Sequence, residues 1–117
     1  MKPVHFVGNT RTTLRGFPDR VKERIGYALY EAQLGGKATH VKPMKGFKGS
    51  RVLEVIEDFD GDTYRAVYTG KFANAVYVLH TFPKKSKKGI ATPKRDIDLI
   101  TSRLKLAEED FERENKS

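Results

Sequence analysis

Two lysine-rich segments and one arginine in a strand-like stretch are the residues here whose types and spacing could do chemistry. The segment "LHTFPKKSKKGIATP", residues 79–93, holds four lysines and one histidine and contains no acid. Arg65 lies in "TYRAVYTG", among aromatic and β-branched residues, where arginine is uncommon. Arginine binds phosphate with two parallel hydrogen bonds, and lysine binds it as a point charge. These residues predict a phosphate-binding surface; the simpler alternative is solvated bases with their stems packed along apolar surface.

The distribution of charge favours the first interpretation. The chain has 117 residues and a formal net charge of +8 at pH 7. Residues 36–53 and 84–95 contain several bases and no acid, whereas acids collect in residues 54–62 and 108–114. Segregated blocks of charge predict a basic patch and a polyanionic partner, for which nucleic acid is the leading candidate.

Several classes of protein are excluded by the absence of their motifs. The three histidines, His5, His40 and His80, are far apart and form no metal-binding motif. The acids at 58, 60 and 62 surround a tight turn and lack the later glutamate of a calcium loop. The chain has no cysteine, no phosphate-binding glycine motif and no GxSxG. We therefore expect neither a metal nor a cofactor.

The hydropathy of the chain predicts a cytoplasmic protein with no membrane partner. No apolar run approaches the roughly 18–20 residues that span a bilayer. The start of the sequence, "MKPVHFVGNTRTT", also lacks the apolar stretch of a signal peptide.

Two helices are predicted, and each has a start signal and an apolar stripe. The first occupies residues 18–36, begins at Pro18 or Asp19 and stops at a pair of glycines. The second begins with Thr92 as the N-cap and Pro93 as the first helical residue. Their stripes consist of Val21, Ile25, Ala28, Leu29 and Ala32, and of Ile97, Ile100, Leu104, Ala107 and Phe111.

Four strands are predicted, at residues 3–7, 51–59, 63–72 and 76–82. "DGD" and "ANA" make the turns between the last three, because Asp-Gly accepts the positive φ angles of a hairpin. Residues 8–17 read as a loop or one helical turn, and residues 37–50 as a long loop of the kind that is often functional. This order predicts one α+β domain over residues 1–117, a small antiparallel meander with helices packed on one face.

This sheet brings the basic residues toward one another. Strand alternation places Arg65 with Val67 and Thr69 on one face, and the neighbouring strand ends in His80, shortly before Lys84 and Lys85. Such a cleft could cleave RNA by attack of a 2′-hydroxyl on the next phosphate, which needs a proton acceptor, a proton donor and positive charge. A histidine such as His80 could donate or accept a proton near neutral pH, and crowded lysines lower one another's pKa, so one of them could serve as the base. A surface or hydrogen-bonded role for His80 stays open.

The sequence also resembles a known family. The combination of "YRAVY", a strand ending "LHTFPKKS" and a helix beginning "TPKRDIDLITSRL" resembles the HigB-type, phage-derived branch of the RelE/ParE toxin superfamily. The resemblance implies a RelE-like compact sheet with helices packed on it. It also implies the toxin of a type II toxin–antitoxin pair that cuts mRNA without a metal, usually on the ribosome. The implied partner is an antitoxin with a helix-turn-helix domain, through which the pair binds its operator DNA.

The resemblance assigns roles to individual residues. Arg65 matches the active-site arginine of the family's "YR" strand, and Lys84, Lys85 and Lys87 match its phosphate-stabilising basic segment. The sequence departs from the RelE pattern at two places, and both bear on which residues transfer the protons. Glu54 stands where RelE has lysines, and "KGIATP" lacks the RelE tyrosine, so that His80, Lys85 or a sheet tyrosine such as Tyr68 would have to substitute. We also predict that five lysines of the basic segments bind RNA, namely Lys42, Lys45, Lys48, Lys87 and Lys88.

Two alternative functions follow from the same resemblance. ParE members share the fold and inhibit DNA gyrase instead of cutting RNA. A degenerate relative would bind RNA or its partner without cutting, an alternative that the missing tyrosine keeps open.

Overall fold

A computed structural model describes residues 1–47, 49, 51–85 and 92–114, with the side chains of Lys84 and Lys85 excepted. The described residues form a five-stranded sheet with the strand order β1-β5-β4-β3-β2. The strands are β1 (Val4–Phe6), β2 (Val41–Pro43), β3 (Val52–Phe59), β4 (Asp62–Thr69) and β5 (Val76–Lys85). The helices are α1 (Thr10–Arg15), α2 (Asp19–Gln33) and α3 (Lys94–Glu114).

The α+β class and the central meander are confirmed. Strands β3, β4 and β5 pair antiparallel in chain order. The hairpin between β3 and β4 turns at Asp60 and Gly61, whose φ angles are 52° and 86°. Two successive positive φ angles are what a tight hairpin turn requires, and an Asp-Gly pair adopts them readily. The sheet is nevertheless mixed, because β1 pairs parallel to β5.

Helices cover both faces of the sheet, whereas the sequence predicted one. Ala66 and Tyr68 of β4 pack in the core under α2, and Val67 between them packs in the core under α3. Strand alternation sends successive side chains to opposite faces, so a strand that is apolar at consecutive positions needs cover on both sides.

In the described part of the chain, none of the helices has the length and hydrophobicity of a membrane-spanning segment.

Several elements differ from the prediction in their type or their boundaries. The predicted loop at 37–50 contains β2, a strand too short to show a period of two. Residues 10–15 form helix α1. Strand β5 continues to Lys85, so Lys84 and Lys85 belong to the ladder instead of a loop.

The outer strand β2 has a proline on its free edge. The amide of Met44 donates to the carbonyl of Val52 at 2.9 Å, so in antiparallel alternation the backbone of Pro43 points away from β3. Proline has no N–H to offer a further strand, which makes this edge a poor template for pairing.

Strand β5 contains a bulge at Leu79. Tyr68 pairs with Val78 and Val67 pairs with His80, which leaves Leu79 as the extra residue. Arg103 of α3 donates from Nη1 to the carbonyl of Leu79 at 3.0 Å and so satisfies a polar group at this irregularity. The extra residue shifts the alternation of β5, and His80 therefore lies on the α3 face of the sheet instead of the α2 face.

Candidate functional site

Arg65 lies on the α3 face of β4 in a partly closed site. Its side chain is only 13% exposed, and its strand neighbours are Ile56 of β3 and Phe82 of β5. Nη1 donates to the hydroxyl of Thr92 at 3.1 Å and lies 3.6 Å from a carboxylate oxygen of Glu54. The guanidinium is thus held between the sheet and the residue that precedes Pro93 at the start of α3.

Glu54 and Arg65 each keep a buried polar atom without a hydrogen bond in the described part of the chain. These atoms are Oε2 of Glu54, which forms the ion pair at a distance too long for a hydrogen bond, and Nε of Arg65. A buried polar group without a partner costs about 1–3 kcal/mol. An oxyanion or a water would supply an acceptor for Nε, so the arrangement suits a ligand such as phosphate.

His80 and Asp96 join β5 to the first turn of α3. Nε2 of His80 and Oδ1 of Asp96 are 2.9 Å apart, and the imidazole stacks on the ring of Phe82 with centroids 4.4 Å apart. Burial lowers the pKa of His80, the hydrogen bond and charge of Asp96 raise it, and the charge of Arg103 lowers it. The net shift is downward, so the neutral imidazole is favoured.

The sheet arranges these groups in one row. Glu54 pairs with Val67, and Val67 pairs with His80, so the three lie side by side across β3, β4 and β5. Two strand spacings place the Cα atoms of Glu54 and His80 about 10 Å apart. Arg65 is two residues from Val67 on the same face. A carboxylate and an imidazole therefore flank the strand that carries the arginine.

The structure describes four of the seven predicted lysines, in two places. The backbones of Lys84 and Lys85 pair with Thr63 and Asp62, which places both residues on β5 just beyond the neighbour of Arg65. Lys42 and Lys45 are exposed on β2 and in the turn after it. The other three predicted RNA-binding residues, Lys48, Lys87 and Lys88, lie outside the described residues.

The structure contradicts the suggested substitution by Tyr68. This side chain is completely buried on the α2 face, opposite to Arg65, and burial raises its pKa to about 12. Tyr64 also lies on the α2 side, where its ring meets Phe17. Alternation along β4 explains this, because Tyr64 and Tyr68 are both an odd number of residues from Arg65.

The sequence reasoning missed three residues of this site. Glu54 stood out only as a departure from the family pattern and Thr92 only as a helix cap, while Asp96 had no assigned role. The signal for Glu54 was present, because an acid inside a strand next to a strand with an arginine is a natural ion-pair partner. Among the described residues, no three acids, histidines or cysteines are grouped so that they could hold a metal ion.

The fold and the site together define a small α+β protein with a RelE-like sheet and an arginine-centred polar site. The family model described as "Phage derived protein Gp49-like (DUF891)" matches residues 12–105. The chain belongs to this family, a RelE/HigB-like, toxin-type family. No curated protein matches the chain. The resemblance to phage-derived toxins is confirmed at the level of the family, and the HigB assignment stays a prediction.

The lowered pKa of His80 predicts a pH-dependent stability. Around pH 6.5, the ordinary pKa of histidine, the unfolded chain binds more protons at this position than the folded chain. Stability therefore rises with pH up to this value and is lost as the pH falls below it. We expect the free energy of unfolding, measured in urea between about pH 5 and pH 7, to depend less on pH in His80→Gln. His5→Gln is the control, and an unchanged slope in His80→Gln would contradict the assigned shift.

Proposed function

We propose that this protein is the toxin of a toxin–antitoxin pair and cleaves mRNA without a metal, in the context of the ribosome. Membership of a toxin-type family and the net charge of +8 support this proposal. The observation that carries it is the Arg65 guanidinium, held 3.6 Å from Glu54 on a sheet face with Nε left without an acceptor in the described residues. Such a group can bind the non-bridging oxygens of a phosphodiester.

Glu54 is the residue that we assign as the proton acceptor. The proton of the ribose 2′-hydroxyl passes to its carboxylate as the 2′-oxygen forms a bond to phosphorus. Charge then develops on the phosphate oxygens, and Arg65 stabilises it with hydrogen bonds that need no rearrangement. The bond from phosphorus to the 5′-oxygen breaks, leaving a 2′,3′-cyclic phosphate on one fragment.

The leaving 5′-oxygen needs a proton, and two sources are available. His80 lies on the other side of β4 from Glu54, where its ring is fixed by Asp96. Lys84 and Lys85 follow on the same strand. Because the pKa of His80 is lowered, its imidazole is mostly unprotonated at neutral pH, which limits its use as a proton donor. If His80 only supports α3, Lys84 and Lys85 donate the proton instead.

Under this proposal, Lys42 and Lys45 bind phosphates of messenger or ribosomal RNA, and so do Lys48, Lys87 and Lys88. The proposed partner is an antitoxin with a helix-turn-helix domain, which contributes the contact with operator DNA.

The ends of cellular RNA test the proposed reaction. After brief expression, we expect mRNA to carry new 5′-hydroxyl ends inside translated codons, and the purified protein to cut mRNA on ribosomes in the presence of EDTA. Intact mRNA together with broken DNA would instead identify a gyrase inhibitor. Expression without growth arrest or cleavage would identify a relative that no longer cuts.

A further inference from the structure

A pocket beside the end of α2 is lined by three basic residues. It lies between the last turn of α2 and the start of β3 and has a volume of about 350 Å³. The bases are Lys2, Lys37 and Arg51, and the described residues that line the pocket include no acid. Three other lining residues are glycines, which leave the space free of side chains. The acid-free segment 36–53 supplies two of these bases, and the proposed cleavage uses neither of them.

Lys2 is held at the pocket by reciprocal bonds with the end of α2. Its amide donates to the carbonyl of Gln33 at 3.0 Å, and Nε2 of Gln33 donates to the carbonyl of Lys2 at 2.8 Å. Its ammonium donates to the carbonyl of Phe72 at 3.3 Å. An ammonium has three N–H donors, so this contact fixes the position of the group and leaves donors for a ligand.

Arg51 has a backbone conformation that is uncommon for an arginine. Its φ angle is 47°, in the left-handed region that glycine, asparagine and aspartate adopt most readily. A residue of another type held there stores conformational strain, and such strain is concentrated at functional sites. In the part of the chain that the structure describes, neither Arg51 nor Lys37 forms an ion pair, and both are exposed. Both cations are therefore available to an anion.

Two negative groups lie beside the pocket, and neither cancels its charge. The C-terminus of α2 is one, but the carbonyls of residues 30–33 all accept backbone hydrogen bonds, so they are already satisfied. The other is Glu31, with a carboxylate oxygen 3.6 Å from where a Cβ of Gly36 would stand. This carboxylate also forms a hydrogen bond with Tyr27, which raises the pKa of the tyrosine. Counting Glu31, the three bases leave a surplus of two positive charges.

The acids at the end of α3 belong to a different pocket. That pocket is lined by Lys71, Lys105, Glu108, Glu109 and Glu112 among others. Glu108 forms an ion pair with Lys71, so part of this acidic charge is neutralised within its own pocket.

We propose that the pocket beside α2 binds a phosphate monoester, the group that ends a 5′-phosphorylated nucleic acid or a free nucleotide. Arg51 binds it with two parallel hydrogen bonds, and Lys2 and Lys37 bind it as point charges. A phosphate monoester carries about −1.5 to −2 charges at pH 7, which matches the surplus of two positive charges. A phosphodiester within a strand carries about one negative charge and matches it less well.

This inference goes beyond RNA cleavage and does not depend on it. Leu53 of the pocket packs in the core under α2, whereas Arg65 lies on the α3 face. Leu53 pairs with Tyr68, three residues from Arg65, so the two sites are also offset by roughly 10 Å along the strand.

NMR of the whole chain with three small probes tests the proposal at the level of single amides. The probes are 5′-AMP, inorganic phosphate and adenosine. We expect AMP and inorganic phosphate to shift the amide resonances of Gly35 and Gly70, which line the pocket, and adenosine to leave both unchanged. Because the readout is local, binding of phosphate at Arg65 does not imitate it.

Two short DNA oligonucleotides of one sequence separate an end phosphate from the phosphates of the backbone. DNA lacks the 2′-hydroxyl and survives the proposed cleavage. The oligonucleotide with a 5′-phosphate should shift Gly35 and Gly70 at about tenfold lower concentration than the one with a 5′-hydroxyl. Whichever of AMP and the phosphorylated oligonucleotide binds more tightly identifies the source of the monoester, and either result supports the site.

Matched variants assign the binding to Arg51. Arg51→Asn removes the guanidinium and keeps a residue that adopts the left-handed conformation readily, so AMP should bind about tenfold more weakly while the melting temperature stays equal or rises. Arg20→Asn removes the same charge at the other end of α2 and should bind AMP as the parent does. Arg65→Ala should leave the shifts of Gly35 and Gly70 unchanged, which separates this test from that of the proposed function.

Three results would overturn the monoester site. The first is that AMP and inorganic phosphate leave Gly35 and Gly70 unshifted, or that adenosine shifts them as AMP does. The second is parental affinity for AMP in folded Arg51→Asn. The third is equal binding of the two oligonucleotides, which would make the pocket a contact for backbone phosphates. The first and third are measured on the parent protein and hold even where Arg51→Asn fails to fold.

Discussion

Arg65→Ala is expected to abolish growth arrest and to lower the rate of RNA cleavage by about 10²–10³-fold, the usual effect of removing a preorganised donor to a developing oxyanion. Arg65 is the cation that the structure holds at the centre of the candidate site, bonded to Thr92 and paired with Glu54. Arg65→Lys keeps the charge and loses the planar fork, so its activity should be intermediate. Cleavage rates of the purified variants on a defined mRNA provide the measurement.

The control for Arg65→Ala is Arg24→Ala. Arg24 of α2 also pairs with a glutamate of β3, Glu57, at 3.2 Å, but on the opposite face of the sheet and with a side chain 54% exposed. The control removes the same charge from the protein and leaves the candidate site intact, so its toxicity should match the parent. Equal urea unfolding of both variants would rule out loss of fold as the cause. If Arg65→Ala arrests growth like the parent, the site assignment is wrong.

Glu54→Gln has the second largest expected effect and separates two roles of the same side chain. If Glu54 accepts the 2′-hydroxyl proton, the amide cannot do so, and cleavage should fall by about 10²–10⁴-fold while RNA binding persists. If Glu54 only neutralises Arg65, the amide frees the guanidinium, and cleavage should stay the same or rise. We expect the first result, because Glu54 lies on the face of Arg65 and in the row of His80.

Glu57→Gln is the matched control for this variant. Glu57 is in the same strand, its side chain is 15% exposed against 16% for Glu54, and it pairs with an arginine of its own. Its side chain faces α2, away from Arg65. If Glu54→Gln cleaves RNA as fast as both Glu57→Gln and the parent, the carboxylate of Glu54 does not accept the proton.

The elements with strong local signals could be predicted from the sequence. Helix α2 has a clear start and stop, and its predicted stripe of Val21, Ile25, Ala28, Leu29 and Ala32 is buried in full. The hairpin at Asp60 and Gly61 follows from local turn chemistry. Arg65 could be singled out because a charge among aromatic and β-branched neighbours is conspicuous.

The face on which His80 lies could not be predicted. Regular alternation from Val76 and Val78 would have placed His80 under α2. The bulge at Leu79 reverses this, and it depends on tertiary contacts such as the bond from Arg103, which is distant along the chain. The role of Glu54 depended on the register of β3 against β4, and the pairing of Asp96 with His80 on how α3 packs. None of these is a local property of the sequence.

The proline at the β2 edge also bears on self-association. If the free edge of β1 in one copy could pair with β2 of the next, the contact would be heterologous and could repeat without closing, which is the geometry of a fibre. Pro43 denies a donor at the end where the next copy would attach. Open-ended growth of the sheet from copy to copy is therefore disfavoured.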